Sequence, residues 1–277
     1  MGVGYQSESR PPLSWRDGGL RKWSIHMAAR KGMTAKRRIV QIFAISIAAT
    51  ACTSANAASR KSDAAPASIP LKSMETRCPT AVADEKRVDM RFYFRRPPEK
   101  TPTDSSLRTE LLQMARKDQR ARISLIRHGM SDPKYVRAVK AVDTKNGEHL
   151  KQILGKYGFP SPAMVGYDGT NAAWLLLQHQ DQDPAWQRKW LNALTQLAKR
   201  YELSPEDYAL FVDRVRVNEG RKQIYGTQFL PGGFVLKPTE DPAHLDERRE
   251  KLGLIPESEY ECILRAMYNP KQTEVSR

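Results

Sequence analysis

Two proline-marked helix starts constrain the fold of this chain more than any other feature. In Asp183-Pro184 and in Ser204-Pro205, a residue whose side chain can cap a helix precedes a proline, which fits the first helical position. An acidic residue three positions after Ser204 gives the second start the form of a capping box. Apolar side chains at helical spacing follow both starts. They predict helices over 184–200 and 205–219.

Similar apolar stripes predict the other helices. These lie at about 106–127 and 146–157, from Asp168-Gly169 to His179, and in two final helices that begin at Asp241-Pro242 and Pro256. Between the helix 205–219 and the helix that begins at Asp241-Pro242, β-formers flank Pro231-Gly232-Gly233, which is typical of a small hairpin over 222–236. The predicted fold class is mainly α, a single compact domain of about seven helices with one small β-hairpin.

The N-terminal part of the chain predicts export. Residues 33–57 combine a basic start, the apolar run 39–51 and the small residues Ala55-Asn56-Ala57, which is the pattern of a secretory signal peptide. The apolar run has 13 residues, too few to cross about 30 Å of hydrocarbon as a helix. We therefore expect no transmembrane helix in the mature chain and a periplasmic or secreted protein. Residues 1–32 precede this complete signal, so translation is expected to start at Met27 or Met33.

A second interpretation of the leader remains open. Ala49-Thr50-Ala51-Cys52 resembles a lipobox, which would make the mature protein lipid-anchored through Cys52, although such motifs usually have Leu at the position of Ala49. Cleavage after Ala57 is favoured. Residues 58–103 lack sustained periodicity and are interpreted as a flexible arm, with a short strand near Val88–Phe94. The domain is expected at 104–268, and 269–277 form a tail.

The charge of the chain does not indicate a nucleic-acid partner. Residues 1–57 hold 9 basic and 2 acidic residues, and residues 58–277 hold 37 and 29, so nearly half of the net charge of +15 belongs to the leader. In the rest, basic and acidic side chains alternate on helix surfaces, as on an ordinary solvated face. No nucleic acid is therefore expected among its partners.

The cysteines allow two states after cleavage at Ala57. Cys78 and Cys262 then remain, and in an oxidising compartment they could pair or stay as two free thiols. The chain has no CxxC or CxxCH motif and no His-rich cluster. The sequence therefore predicts no metal site and no cofactor.

Two polar residues interrupt the apolar stripes of their helices. Asp118 lies within the stripe of the first helix, and a buried carboxylate must find a cation or stay protonated. It is either a structural ion pair, with Arg122 one turn along as partner, or a site carboxylate. His179 ends an apolar helix, where a histidine either packs or acts as a base. Around it lie the polar side chains Gln178, Gln180, Asp181 and Gln187.

A third group of polar residues follows in the second half of the domain. Asp213 and Arg214 lie beside the stripe of the helix 205–219, and the predicted hairpin carries Gln223, Tyr225, Thr227 and Gln228. These side chains either bind a polar ligand or hold the hairpin together. Arg248 and Arg249 point about 100° apart on a helix, so at most one of them faces a common site.

Beyond these individual residues, the domain resembles a bacterial family known only as domain of unknown function 6624. The matching motifs run in one order over about 118–260 and are Asp118-Gln119 with Arg122, Tyr157-Gly158-Phe159-Pro160, Val165-Gly166 with Asp168-Gly169, Ala173-Trp174, Gln178-His179, Asp183, Gln187, Asp213-Arg214, Glu219-Gly220, the run 223–228, Asp246, Arg248-Arg249 and Leu252-Gly253-Leu254. The resemblance implies one site containing Asp118, His179, Asp213, Tyr225 and Gln228, and it implies no reaction. Phe159 and Gln180 depart from the family pattern.

Three functions follow from these residues. The first is a binding domain of the cell envelope that recognises a glycan, a peptide or a partner surface through Gln119, Arg122, Gln178, Gln187, Arg214, Gln223, Tyr225, Gln228 and Arg248. The alternative is a hydrolase or transferase with His179 as general base, oriented by Asp118 or Asp213. In a third hypothesis the polar residues only cross-link the helices of a scaffold.

Overall fold

The protein is mainly helical. The computed structural model describes residues 71–128, 130–230 and 234–268, and in these residues it contains ten α-helices and no β-strand. The helices are α1 Leu71–Arg77, α2 Pro79–Arg95, α3 Ser105–Arg127, α4 Pro133–Tyr157, α5 Pro162–Gln178, α6 Pro184–Lys189, α7 Leu191–Lys199, α8 Pro205–Asn218, α9 Leu245–Leu252 and α10 Glu257–Tyr268. The predicted leader 1–32, the signal peptide 33–57 with Cys52, and the tail 269–277 lie outside the described residues. The mainly helical class is confirmed.

Both proline-marked helix starts are confirmed. The Asp183 carboxylate accepts from the Trp186 N–H at 3.1 Å, and the Ser204 hydroxyl accepts from the Asp207 N–H at 3.0 Å. The single helix predicted from 184 to 200 is wrong, because the backbone of Trp190, with ψ near −6°, ends α6 and begins α7. The N–H of Trp190 bonds to the Gln187 carbonyl three residues back, which tightens the turn there.

The helix α4 is twice as long as predicted. Its end at Gly158 agrees with the sequence, but it begins at Pro133, where Asp132 caps the helix by accepting from the Lys134 N–H at 2.8 Å. This start uses the same pairing of a capping residue with proline as α6 and α8. Likewise α5 begins at Pro162, before the predicted start, and the non-helical backbone of Gly166 (φ 72°) interrupts it.

The predicted β-hairpin is wrong. In the parts of 222–240 that the structure describes, there are only two isolated bridges, Gln223 with Thr239 and Phe229 with Leu236. Pro231-Gly232-Gly233 lies outside the described residues. A regular ladder does not form because side chains bind the backbone of this segment instead. The Asp213 carboxylate accepts three of its N–H groups, and the Gln223 amide bonds to backbone groups of Gln228 and Lys237.

The predicted strand at 88–94 is also wrong, since these residues belong to the helix α2. The helices α1 and α2 lie within the segment interpreted as an arm, and they pack on α10. A disulfide between Cys78 and Cys262 joins the two regions, with the Cα atoms 6.1 Å apart. The pairing that the sequence left open is therefore present. No described helix is both long enough and apolar enough to span a bilayer.

The helix α5 forms the centre of the hydrophobic core. Trp174 and Leu176 of α5 are fully buried with Leu111 of α3, Leu150 of α4 and Phe211 of α8. The Trp174 indole N–H donates to the Asp207 carbonyl at 3.0 Å, so its polar atom is paired inside the core. The C-terminal end of α5 thus reaches the place where α3, α4, α6 and α8 come close. His179 is the first residue after this end.

Candidate functional site

A buried pair of Asp118 and His179 forms the centre of the site. Asp118 lies on the buried stripe of α3, and α5 packs against that stripe. His179 Nδ1 is 3.0 Å from Asp118 Oδ1, and both side chains are only 1% exposed. An ionised carboxylate can only accept, so Nδ1 carries the proton and Nε2 has the free lone pair.

Arg122 connects this pair to a second carboxylate, Asp143 of α4. Its Nη1 donates to Asp118 Oδ1 at 2.7 Å, and its Nη2 donates to both oxygens of Asp143 at 2.9 and 3.0 Å. Gln119 Nε2 donates to the other oxygen of Asp118 at 2.9 Å. We call these five residues, Asp118, Gln119, Arg122, Asp143 and His179, the Asp118 cluster.

Arg122 lowers the pKa of both carboxylates of the Asp118 cluster, and the two pKa shifts have opposite directions because only Asp118 also bonds to His179. Burial raises the pKa of Asp143 to about 7, and Arg122 offsets this only in part. Burial would also raise the pKa of Asp118, but the hydrogen bond from His179 and the charge of Arg122 lower it. Burial lowers the pKa of His179. The imidazole is therefore neutral at pH 7 while Asp118 stays ionised.

Gln180 supports the Asp118 cluster from the side of α4. Its Nε2 donates to the Asp143 and Leu176 carbonyls at 3.2 and 3.3 Å. A Cβ atom on Gly147 would lie 2.1 Å from Gln180 Oε1, so a larger residue there would force the Gln180 amide to shift. Gln180 thus has a packing role between α4 and the end of α5.

Beside the cluster, the turn between α5 and α6 is held by polar groups of α6 and α8. Gln187 Nε2 donates to the Leu177 and Gln178 carbonyls, both at 3.1 Å. Arg214 donates to the Gln178 carbonyl at 3.3 Å and to the Asp181 carboxylate at 2.8 Å. The amide of Asn218 completes the arrangement with a bond of 2.9 Å to Asp181. These contacts close the end of α5 over His179.

Asp213 organises a separate network in the segment 222–240. Its carboxylate accepts from the N–H groups of Ile224 at 2.7 Å, Tyr225 at 3.0 Å and Thr227 at 3.0 Å, and from the Thr227 hydroxyl at 2.9 Å. Burial raises the pKa of Asp213, and these donors oppose the shift. Among the described residues, the Asp213 carboxylate bonds to the loop and not to His179, so it does not orient the imidazole.

The other predicted ligand groups of this region also bond to the backbone. Gln223 is fully buried and bonds to the backbone of Gln228 and Lys237, while Gln228 Nε2 donates to the Thr227 hydroxyl at 3.2 Å. Arg248 donates to the carbonyls of Ile224, Glu240 and Asp241. The structure therefore brings Asp118, Gln119, Arg122 and His179 together, with Gln178, Gln187 and Arg214 beside them. It places Asp213, Gln223, Tyr225, Gln228 and Arg248 around the loop.

Within the described part of the chain, nine buried side-chain polar atoms have no hydrogen-bond partner, and four of them belong to Gln119, Gln178 and His179. These four are His179 Nε2, Gln119 Oε1 and both amide atoms of Gln178. An unpaired buried polar group costs about 1–3 kcal/mol. Atoms of this kind are rare in folded proteins and call for an explanation.

The residues of the Asp118 cluster also meet the distance criterion for a metal site. Asp118, Asp143 and His179 each offer one ligand atom, and these atoms lie within 4.8 Å of one another. Arg122, however, donates to both carboxylates and supplies the positive charge between them. A cation would have to displace this guanidinium, so the donor set does not fit a metal centre.

The comparisons with known proteins decide the family. The family described as "Family of unknown function (DUF6624)" matches residues 105–273. The chain belongs to this family. No curated protein and no solved structure matches it. In this DUF6624 protein, α1 and α2 precede the matched region, and the disulfide links them to it.

Sequence reasoning missed Asp143, and it mentioned Gln180 and Asp181 without placing them in the site. Asp143 lies on the buried stripe of α4, four residues after Val139 and three before Asn146. The signal was therefore the same as for Asp118, a carboxylate within an apolar stripe. It was hidden because the start of α4 at Asp132-Pro133 was not recognised.

Asp213→Asn should lower the free energy of unfolding by about 2–4 kcal/mol, because an amide offers one acceptor oxygen and turns an N–H toward the backbone donors. Urea denaturation monitored by circular dichroism measures the change. Asp132→Asn is the matched control, since asparagine also caps a helix and should change stability by less than about 0.5 kcal/mol. Equal small effects of both substitutions would show that Asp213 does not anchor the loop.

Asp143→Asn should flatten the pH dependence of stability. The folded pKa of Asp143 is about 7, above the value of about 3.9 for an unfolded chain, so the folded state binds more protons between these values. The contribution of Asp143 to the free energy of unfolding therefore decreases as pH rises from 4 to 7, by at most about 4 kcal/mol. Denaturation at a series of pH values, with a carboxyl NMR titration of Asp143, measures this. Parallel curves for wild type and variant would contradict it.

Proposed function

We propose that this protein is an exported binding domain that recognises a neutral polar ligand at the end of α5. The observation that carries the proposal is the group of unpaired atoms on Gln119, Gln178 and His179. An apolar residue would be less costly than glutamine at a buried position where neither amide atom is bonded. A ligand that bonds to these atoms explains why they are polar.

The charges of the region favour a neutral ligand over an ion. Arg122 is paired with Asp118 and Asp143, and Arg214 is paired with Asp181. The unpaired atoms include an amide N–H, two amide oxygens and an imidazole lone pair, so both donors and acceptors are offered. Hydroxyl and amide groups match such a mixture, as in the glycan and peptide fragments of a cell envelope.

The partly exposed members of the region indicate the side from which a ligand approaches. The side chains of Asp143 and Asp181 are 16% and 30% exposed, whereas that of His179 is 1% exposed. A ligand therefore reaches Nε2 of His179 only when the turn between α5 and α6 moves. Two backbone hydrogen bonds lie within that turn, from Gln180 to Leu177 and from Asp183 to Gln180, so its movement has to break mainly the side-chain bonds from Gln187 and Arg214.

The proposed location is the periplasm or the outside of the cell, reached through the signal peptide predicted at 33–57. The disulfide between Cys78 and Cys262 supports this proposal, since disulfides persist in oxidising compartments and are rare in the cytosol. Anchoring through an acylated Cys52 is the alternative form of the same proposal.

A second candidate function is a hydrolase or transferase, and the bond between Asp118 and His179 favours it. A carboxylate that holds Nδ1–H leaves Nε2 as a base, which is the arrangement that activates water or a substrate hydroxyl. The burial of His179 places this function second, because a base must reach the proton that it removes.

The substitution Gln178→Leu tests whether Gln178 binds a ligand or stabilises the fold. Since its amide is unpaired, the substitution should leave the free energy of unfolding unchanged or raise it. The matched control Gln187→Leu loses two hydrogen bonds to buried carbonyls, so its free energy of unfolding should fall by about 1–3 kcal/mol. Calorimetric titration with soluble peptidoglycan fragments should show binding by the wild type and at least tenfold weaker binding by Gln178→Leu.

Two results would overturn the binding proposal. One is a loss of stability in Gln178→Leu as large as in Gln187→Leu, and the other is the absence of binding by the wild type. Mass spectrometry of the same fragments after incubation tests the second candidate. Cleaved or transferred products that disappear with His179→Gln would make the protein an enzyme.

The export proposal predicts the covalent state of the mature protein. Mass spectrometry of the chain isolated from its native cells should find an N-terminus at Ala58, or an acylated one at Cys52, and no free thiol at Cys78 or Cys262. A chain that retains residues 33–57 and both thiols would be a cytosolic protein.

A further inference from the structure

The outer face of α2 carries an unusual combination of apolar and basic side chains. Met90 and Arg91 lie three and four residues after Arg87, and Phe94 lies four and three residues after them, so the four side chains share one face of the helix. All four are exposed, Met90 by 49% and Phe94 by 62%. We call this face the α2 stripe. Tyr93, 40% exposed, lies at its edge.

The opposite face of α2 already has a partner within the protein. Ala81 and Val82 are buried, and the helix packs on α10 and α1. The α2 stripe is therefore not needed to hold the helix in place. Met90, Tyr93 and Phe94 are three of the seven large hydrophobic residues that are exposed in the described chain. Such clustering on a surface marks an interaction site.

We propose that the α2 stripe docks on a membrane surface that contains anionic phospholipid. Basic and apolar residues alternate along it, so the cations meet lipid phosphates while Met90 and Phe94 enter the boundary of the acyl chains. Lys86, which forms an ion pair with Glu75, and Arg95 are both exposed and add positive charge beside it. This arrangement is complementary to an anionic interface, whereas an apolar protein groove would leave the arginines unpaired.

The existing contacts of the basic residues leave them available to lipid. Arg87 forms an ion pair with Asp84, but its side chain is 57% exposed, and exposed ion pairs add little stability. Arg95 contacts the Tyr201 hydroxyl at 3.3 Å, and this contact is exposed as well. Phosphate groups can therefore take over these cations.

The position of α2 in the chain also favours a membrane. Cys52, the residue acylated under the lipid-anchored alternative, precedes Cys78 by 26 positions, and the disulfide at Cys78 fixes the start of α2 to the domain. Peripheral attachment to a membrane often combines two signals, and a basic patch is a common second signal beside acylation. The α2 stripe supplies that signal without depending on the ligand at His179.

The test uses the mature chain from residue 58, without acylation, and phospholipid vesicles. Sedimentation with vesicles of 70% phosphatidylcholine and 30% phosphatidylglycerol should carry the protein down, and pure phosphatidylcholine should not. Raising the salt from 50 to 300 mM should weaken the binding several-fold. The double substitution Met90→Ser and Phe94→Ser should weaken it at least tenfold, as should Arg87→Glu with Arg91→Glu.

Val235→Ser is the matched control, because Val235 is as exposed as Phe94 but lies in the loop 234–241. It should not change the binding, and unchanged melting temperatures should show that every variant folds. Equal binding to both vesicle types, no binding, or binding unaffected by the α2 substitutions would overturn the proposal. A dimer in analytical ultracentrifugation that Phe94→Ser dissociates would instead assign the α2 stripe to a second copy of the chain. None of these outcomes depends on peptidoglycan binding.

Discussion

The structure depends on one guanidinium, that of Arg122, which is shared by the buried carboxylate of Asp118 and the partly buried carboxylate of Asp143. Arg122 joins α3 to α4 through Asp143, and through Asp118 it fixes the imidazole at the end of α5. Three helices are thereby tied at one point inside the protein. Because one positive charge cannot neutralise two negative ones, the cluster is electrostatically frustrated, and its proton content responds to pH near neutrality. The residues that hold these three helices together are thus the same residues that set the protonation state of the site.

The sequence predicted those features that depend on local physics. Helix starts at Asp183 and Ser204 follow from capping geometry over four residues, and the helix ends at Gly158 and Gly253 follow from positive φ angles. The fold class could be predicted because the helical spacing of apolar residues is also a local pattern. The pairing of Asp118 with Arg122 could be predicted because residues four apart on a helix are neighbours. The family resemblance could be recognised because its motifs run in one order along the chain.

The features that were not predicted depend on contacts distant in sequence. The segment 222–240 has the composition of a hairpin, but the Asp213 carboxylate on α8 takes the N–H groups that a ladder would use. The helix α2 has β-formers near its end, yet packing on α10 and the disulfide keep it helical. In the site, Asp143 could be placed beside Arg122 only after the packing of α4 on α3 was known.

The disulfide also affects what a protease can do to this protein. Cys78 and Cys262, 184 positions apart, close a covalent ring that includes α2 to α9 and most of the family domain. A single cut in an exposed connection inside the ring leaves both pieces in one molecule, so a clipped chain separates only after reduction. In the chain-entropy description such a closure stabilises the fold by about 5 kcal/mol.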